Sequence, residues 1–537
     1  MNNQKFFLSI AIFLTIFLLW DKWQITHITD ADGNVVRKTQ IILDTPSKNN
    51  DVPMINTETT QIDLPTPSIS ESYGFTTVTT DLLTVEISHK GGTIQNAYLN
   101  TFPVEIGGEE KFQLLSNKAD SLFQAQSGLA SRDDLLPTHL SNFNSASTNY
   151  QLSADELVVP MTWQGENGIK VTKNFHFKKG SHTIGIDYQI TNNSNQAIPA
   201  KSYVRLSRRA IDQSNMMMPT FTGGIVYDKK THSVQKNEFD DWDEFNQQSS
   251  IGGWIAMVQQ YFIAAWVPNQ NESQVFSASS SNNVHKLTNA NQQISIGAGS
   301  SATLDANHLY LGPKEYGKIE KVATGLNYTL DYGWLDILAD PLSWGIHKIN
   351  DLVDSWGWSI IIITILIKLA FYPLSEKSYR SMAGMRKLSP RLAKLKETYG
   401  DDKQKMGQKT MELYKKEKIN PASGCLPIMV QIPVFIAFYW MLLDTVELRQ
   451  TEFWWLTDLS TQDPYYILPI IMGASMFIQQ KLNPPPPDPM QAKIMMSLPF
   501  IFTIFFLWFP SGLVLYWVFN NVLSIAQQWS INKRING

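Results

Sequence analysis

The strongest constraint on this chain is Trp358–Leu374, seventeen nearly unbroken apolar residues that enclose one full charge, Lys368. A helix rises about 1.5 Å per residue, so the run nearly crosses a hydrocarbon core of roughly 30 Å. A charged side chain at that depth costs about 2.5–3.5 kcal/mol even on lenient insertion scales. An ion pair would offset the cost, yet no other apolar run carries a carboxylate in its interior. Lys368 is therefore expected either to face water in an intramembrane cavity or to snorkel to an interface. Both routes stay open, because Leu374 lies about 9 Å further along a helix and a lysine stem covers much of that.

At 537 residues the chain is too long for one ordinary domain. A net charge of −4 does not indicate a nucleic-acid partner. The single cysteine, Cys425, excludes an internal disulfide and reads as a buried, inert thiol. Sixteen Trp and twenty-seven Phe suit a membrane-facing surface.

Residues 1–24 resemble an export signal in outline, with Lys5 ahead of the apolar run Phe6–Trp20. The run ends in Leu18, Leu19, Trp20 and Asp21 without small residues, so an uncleaved transmembrane anchor is expected, with Trp20 and Trp23 at the interface. Residues 25–72, and Gln40–Ser72 above all, read as a flexible linker rich in Asp, Asn, Thr, Ser and Pro. From 73 to 330 the hydrophobic period is two. Phe175 and Phe177, a turn at Lys178–Ser181, then Ile184, Ile186, Tyr188 and Ile190 form a hairpin pattern. Leu83, Val85 and Ile87, Ile294–Ile296 and Leu309–Leu311 are similar, which predicts a large all-β sandwich. The acidic cluster Asp240, Asp241, Asp243 and Glu244 lacks calcium-loop spacing and reads as a solvated loop. His176 and His182 have no metal-ligand spacing and read as surface histidines. Over 331–357, Leu342, Ile346, Ile349, Val353 and Trp356 step by three and four, which predicts an amphipathic helix in the membrane interface; the other reading is a core helix of the β domain.

The last third, 358–537, holds five apolar runs: Trp358–Leu374, Cys425–Leu443, Tyr465–Phe477, Ile494–Phe509 and Ser511–Ile525. Pro427 and Pro433 imply a bent second span. With the anchor, six spans are expected. The segment 375–424 carries thirteen Lys/Arg against six Asp/Glu, whereas Asp444–Pro464 carries one Arg against five acidic residues. The basic segment, and a tail with Lys533 and Arg534, belong in the cytoplasm. Both termini then lie inside and the β domain outside. Lys377–Thr398 and Asp402–Lys418 read as two charged helices of an antiparallel hairpin. The hairpin is either a dock for ribosomes or partner proteins, or topogenic charge with self-packing.

Several long stretches resemble the YidC-type membrane protein insertases of Gram-negative bacteria. They are YPLSEKSYRSMAGMRKLSP (372–390), GDDKQ (400–404), NPASGCLPIMVQIPVFIAFYWML (420–442), VELRQ (446–450), DPYYILPIIMG (463–473) and FFLWFPSGLVLYW (505–517). GGWIAMVQQYFIAAWVP (252–268) is similar to the family's periplasmic domain. The resemblance runs along essentially the whole chain. It implies a periplasmic β-sandwich, an interfacial helix and an all-α, five-helix core around a hydrophilic groove. It also implies insertion of nascent membrane proteins into the bacterial inner membrane, alone or with the Sec translocon, without cofactor or ATP. The implied partners are the phospholipid bilayer and the ribosome, met by the hairpin and the C-terminal tail. The family's groove cation, usually arginine, falls on Lys368, which keeps the charge but loses the bidentate fork. Groove and substrate-contact positions fall on Thr364, Gln431, Tyr516 and Trp517, the last often tyrosine in relatives.

The residues themselves support that chemistry. A hydrophilic segment meets most of its cost in hydrocarbon, where polar groups lack partners. A wet groove shortens the dry path, and a fixed cation attracts acidic residues of an incoming tail. Thr364, four residues before Lys368, shares its helix face; Gln431, Ser511 and Asn520 add polar lining. Tyr516 and Trp517 offer amphipathic rings to a sliding helix. No bond is made or broken, so the chain is not expected to be an enzyme. A secondary transporter would show paired repeats, which the five core runs lack. A membrane-anchored carbohydrate enzyme would lose its function with the β domain, whereas an insertase should survive that deletion.

Overall fold

The protein is described by a computed structural model over residues 74–165, 168–210, 220–399, 402–417, 426–483 and 489–536. The anchor and linker expected over 1–72, Cys425 and the turn at 400–401 lie outside the described residues.

Strands fill most of Phe75–Pro313. In the expected hairpin, Ile169–Lys178 pairs antiparallel with Thr183–Asn192, placing Phe175 opposite Ile186 and Val171 opposite Ile190. Side chains alternate across a strand, so these residues turn one apolar face inward while Thr172, His176, Asp187 and Gln189 face out. Two sheets of eleven and nine strands stack on those inner faces. Val85, Ile87, Phe175, Ile186, Tyr188 and Leu309 are at most 1% exposed in the resulting core. The acidic cluster surrounds the short 3₁₀ turn Trp242–Glu244, with its carboxylates exposed and Trp242 buried. His176 pairs with Asp187. The surface reading fails for His182, which is half-buried with its ring 6.1 Å from that of Tyr310. Gly312, whose added Cβ would stand 2.9 Å from the imidazole, leaves the slot it occupies.

Nine described helices follow: α1 Asp336–Val353, α2 Trp356–Ala370, α3 Tyr372–Lys387, α4 Ser389–Tyr399, α5 Lys403–Lys416, α6 Leu426–Asp444, α7 Ile467–Leu482, α8 Pro489–Phe505 and α9 Ser511–Asn536. Two sequence expectations change here. Trp358–Leu374 is not one straight span, because the chain breaks at Phe371 and α2 and α3 meet at a 65° bend. Pro373 sits in the first turn of α3, where its missing N–H costs nothing but its ring opposes continuation of α2. The first hairpin helix is also divided. Residues 377–387 belong to α3, which packs on α9 and α6, and only α4 and α5 form the projecting hairpin. Asp402 caps α5 by accepting from the Gln404 and Lys405 N–H groups, and Arg391 reaches Glu417 at 2.7 Å across the hairpin.

Most of the stripe expected on α1 packs inward, with Ile346 buried beside Ala339 and Ser343 and Leu342 and Ile349 partly buried, but Val353 at the helix end is exposed. The opposite side is also apolar in part, with Ile337, Trp344 and Leu352 exposed. Sandwich and helices are joined by more than the covalent link. Lys314, just after the last strand, pairs with Asp444 at the end of α6, and both are buried. Asp444 also accepts from the Asp331 N–H at 3.2 Å. Arg449 and Gln450 donate to the Pro103 carbonyl at 2.7 and 2.9 Å.

Candidate functional site

Lys368 lies in the last turn of α2. A helix end leaves carbonyls unsatisfied and carries partial negative charge, so a cation is better placed there than in mid-span. The residue is 4% exposed. Its ammonium donates to Ser524 Oγ on α9 at 2.7 Å. Among the described residues no carboxylate pairs with it. Neither expected route is taken: the ammonium neither faces water nor reaches out along its stem to an interface, but is buried against a polar strip of another helix, where the Ser524 hydroxyl meets part of its hydrogen-bonding need.

That strip is built by helical spacing. Asn521, Ser524 and Gln528 step by three and four along α9, share a face, and are 4%, 3% and 2% exposed. Asn521 donates to Ser475 Oγ of α7 at 3.0 Å, and Gln528 to Asn483 at 3.1 Å. From the other side α3 contributes buried Ser375, Ser378 and Tyr379, whose phenol hydrogen-bonds Ser524. The sequence carries a signal for this strip, polar residues at helical intervals in and just beyond the last apolar run, but its partners on α3 and α7 are far away in the chain.

The expected lining residues are distributed differently. Thr364, one turn before Lys368, is 1% exposed and donates its hydroxyl to the Ile360 carbonyl at 2.6 Å. Asn520 is half-buried, and its carbonyl accepts from Ser524. Gln431 is half-buried on α6. Ser511 begins α9, about 20 Å along the helix from mid-helix Ser524, and is bonded to the Asp458 carbonyl at 2.9 Å. Tyr516 is 4% exposed, its ring 4.6 Å from Phe438. Trp517 is half-buried, edge-on to Phe435 at 4.5 Å, and its indole N–H has no hydrogen-bond partner among the described residues. The structure therefore brings Lys368, Ser524 and the Asn520 carbonyl together, sets Thr364 one turn away, and puts Ser511 elsewhere.

Around this polar interior the helices turn large apolar side chains outward. Leu366, Leu369, Met429, Ile432, Ile470, Ile478, Phe500, Ile501, Ile504 and Trp508 are each roughly half exposed or more. Monomeric soluble proteins do not leave an apolar surface of this extent in water. No single described helix is long and apolar enough to cross a bilayer, although the bent α2–α3 pair meets that requirement together. Apolar on its outer face, with a buried polar strip beside its hydrophobic core, the bundle defines a multi-helix membrane protein carrying a β-sandwich domain.

The comparisons with known proteins agree. Residues 76–345 match the YidC periplasmic domain, and residues 348–537 match the 60Kd inner membrane protein family. The chain is 61% identical to the membrane protein insertase YidC of Ruthia magnifica subsp. Calyptogena magnifica, over the whole of both chains. It is 59% identical to that of Vesicomyosocius okutanii subsp. Calyptogena okutanii, again over both full lengths. It is 43% identical to that of Nitrosococcus oceani, covering 100% of this chain and 99% of the relative. The chain belongs to the YidC family of membrane protein insertases, and that family places it in the inner membrane.

Proposed function

We propose that this chain inserts nascent inner-membrane proteins, alone or beside the Sec translocon, by giving their short hydrophilic segments a polar path to the Lys368 ammonium. The observation that carries the reading is Lys368 itself: a buried cation with no carboxylate partner among the described residues, at the negative end of α2 and beside the polar strip of α9. A group held in this way has unspent attraction for an acidic residue, and low dielectric strengthens it. The cation is covered by α3 and α9, so a substrate reaches it when those helices part. Thr364, Gln431 and Asn520 line the path, and Trp517, whose N–H is unpaired among the described residues, meets the sliding segment beside Tyr516.

The charge distribution supports an arrangement with both termini cytoplasmic and the sandwich periplasmic. The basic hairpin and the Lys533–Arg534 tail are the ribosome-facing parts. The chain then divides into an anchor (1–24), a linker (25–72), the sandwich (73–330), the interfacial helix (331–357) and the insertase core (358–537).

In proteoliposomes, Lys368→Ala is expected to slow insertion of acidic-tailed substrates about tenfold, equivalent to roughly 1.4 kcal/mol. Lys368→Arg should stay near the wild-type rate. Normal insertion of such substrates by Lys368→Ala would overturn the mechanism.

A further inference from the structure

The Ser524 hydroxyl is fully committed. A serine oxygen has one proton to donate and two lone pairs to accept with. Ser524 gives its proton to the Asn520 carbonyl at 2.7 Å, one turn back on α9. It accepts from the Lys368 ammonium at 2.7 Å and lies in hydrogen-bond contact with the Tyr379 phenol. Ser524 is 3% exposed and Tyr379 8%, so neither bond competes with bulk water. Three helices, α2, α3 and α9, thus converge on one oxygen atom.

We propose that Ser524 is a positioning residue for the groove cation, its hydroxyl fixed by the Asn520 carbonyl, with Tyr379 beside it, so that the Lys368 ammonium is held at α9 with a fixed direction. The idea rests on the function proposed above. A lysine stem has four rotatable carbons and no fork of its own, so its charge is aimed only by what it touches. The Asn520 bond fixes the hydroxyl proton, leaving a lone pair aimed at the Lys368 ammonium. The carbon skeleton of Ser524 does no positioning, so threonine keeps the device and alanine removes it. Without the hydroxyl the ammonium leans elsewhere, and acidic segments lose their preferred approach more than neutral ones do.

The test uses the full-length protein in proteoliposomes, with two substrates that differ only in an acidic or a neutral translocated tail. The readout is the ratio of their insertion rates. Ser524→Ala is expected to lower that ratio about tenfold, in line with loss of a hydrogen bond to a charged group. Ser524→Thr should recover it, and Tyr379→Phe should lower it less. In a Lys368→Ala background, Ser524→Ala should change the ratio no further, because nothing remains to be positioned. An equal loss for both tails, or a full additional loss in the Lys368→Ala background, would overturn the proposal and leave Ser524 a packing residue. If Lys368→Ala itself leaves the ratio unchanged, the underlying function fails instead. If Lys368→Ala lowers it and Ser524→Ala does not, only the positioning role fails.

Discussion

At the scale of single residues, two lysines show opposite ways of burying a charge. Lys368 is held at the end of a helix by one hydroxyl. Lys173 is fully buried between the two sheets and donates to three carbonyls, those of Gly91 and Gly92 at 2.9 Å and Ser127 at 3.2 Å. The faces of Phe143, Phe175 and Tyr188 lie 5.2–5.9 Å from its ammonium. Burial nonetheless pushes Lys173 down to about 7, against an ordinary 10.5. Between those values the unfolded chain binds a proton that the folded domain has released, so stability rises with pH across that window. Below about pH 7 both states are charged and the dependence vanishes. From pH 7.5 to 9 the wild-type sandwich should gain up to about 2 kcal/mol relative to Lys173→Met. Urea unfolding followed by tryptophan fluorescence at both pH values measures it, and parallel pH profiles for the two proteins would refute it.

At the scale of elements, close approach decides more than propensity. Gly357 lies in the first turn of α2, and a methyl there would stand 2.2 Å from the buried Phe453 ring. Alanine is the better helix former by about 1 kcal/mol. Overpacking a filled site costs about 1–3 kcal/mol, and Phe453 is already fixed between the rings of Trp358 and Trp454. Packing should win, so Gly357→Ala is expected to lower the thermal midpoint in detergent; a rise would show that the loop after α6 gives way. The α2–α3 break also follows from one residue in context. Pro373 ends a run whose apolar composition alone reads as one span. The same break places Lys368 two residues from the end of α2 instead of within a longer helix.

At the scale of the whole molecule, sandwich and membrane bundle are tied by a buried ion pair, Lys314–Asp444, together with the Arg449 and Gln450 contacts to Pro103. Removing one partner of a buried pair strands the other, at a cost of about 3–5 kcal/mol. Lys314→Met or Asp444→Asn should therefore loosen the junction, seen as faster proteolysis between the sandwich and α1. The double variant Lys314→Met/Asp444→Leu should lose less than either single change, because no charge is left unpaired. Losses in the double variant equal to the sum of the two single losses would mean that the pair contributes no coupling.

Much of this architecture is legible in the chain because it depends on where each residue partitions. Alternation from Phe175 to Ile190 determined the hairpin and its inner face, since a strand's two sides meet different solvents. The apolar runs and the uneven Lys/Arg content of their loops determined a membrane core with a basic projecting side. The isolated charge at Lys368 singled out the residue on which the proposed function rests. Tertiary structure alone decided the rest: that Lys368 meets Ser524, 156 residues away, that Tyr379 completes the contact from a helix read as part of an exposed hairpin, and that Lys173 lies between the sheets. Such contacts depend on which helix and sheet faces close over long separations, and the periodicity within any one segment is the same whether or not a partner arrives.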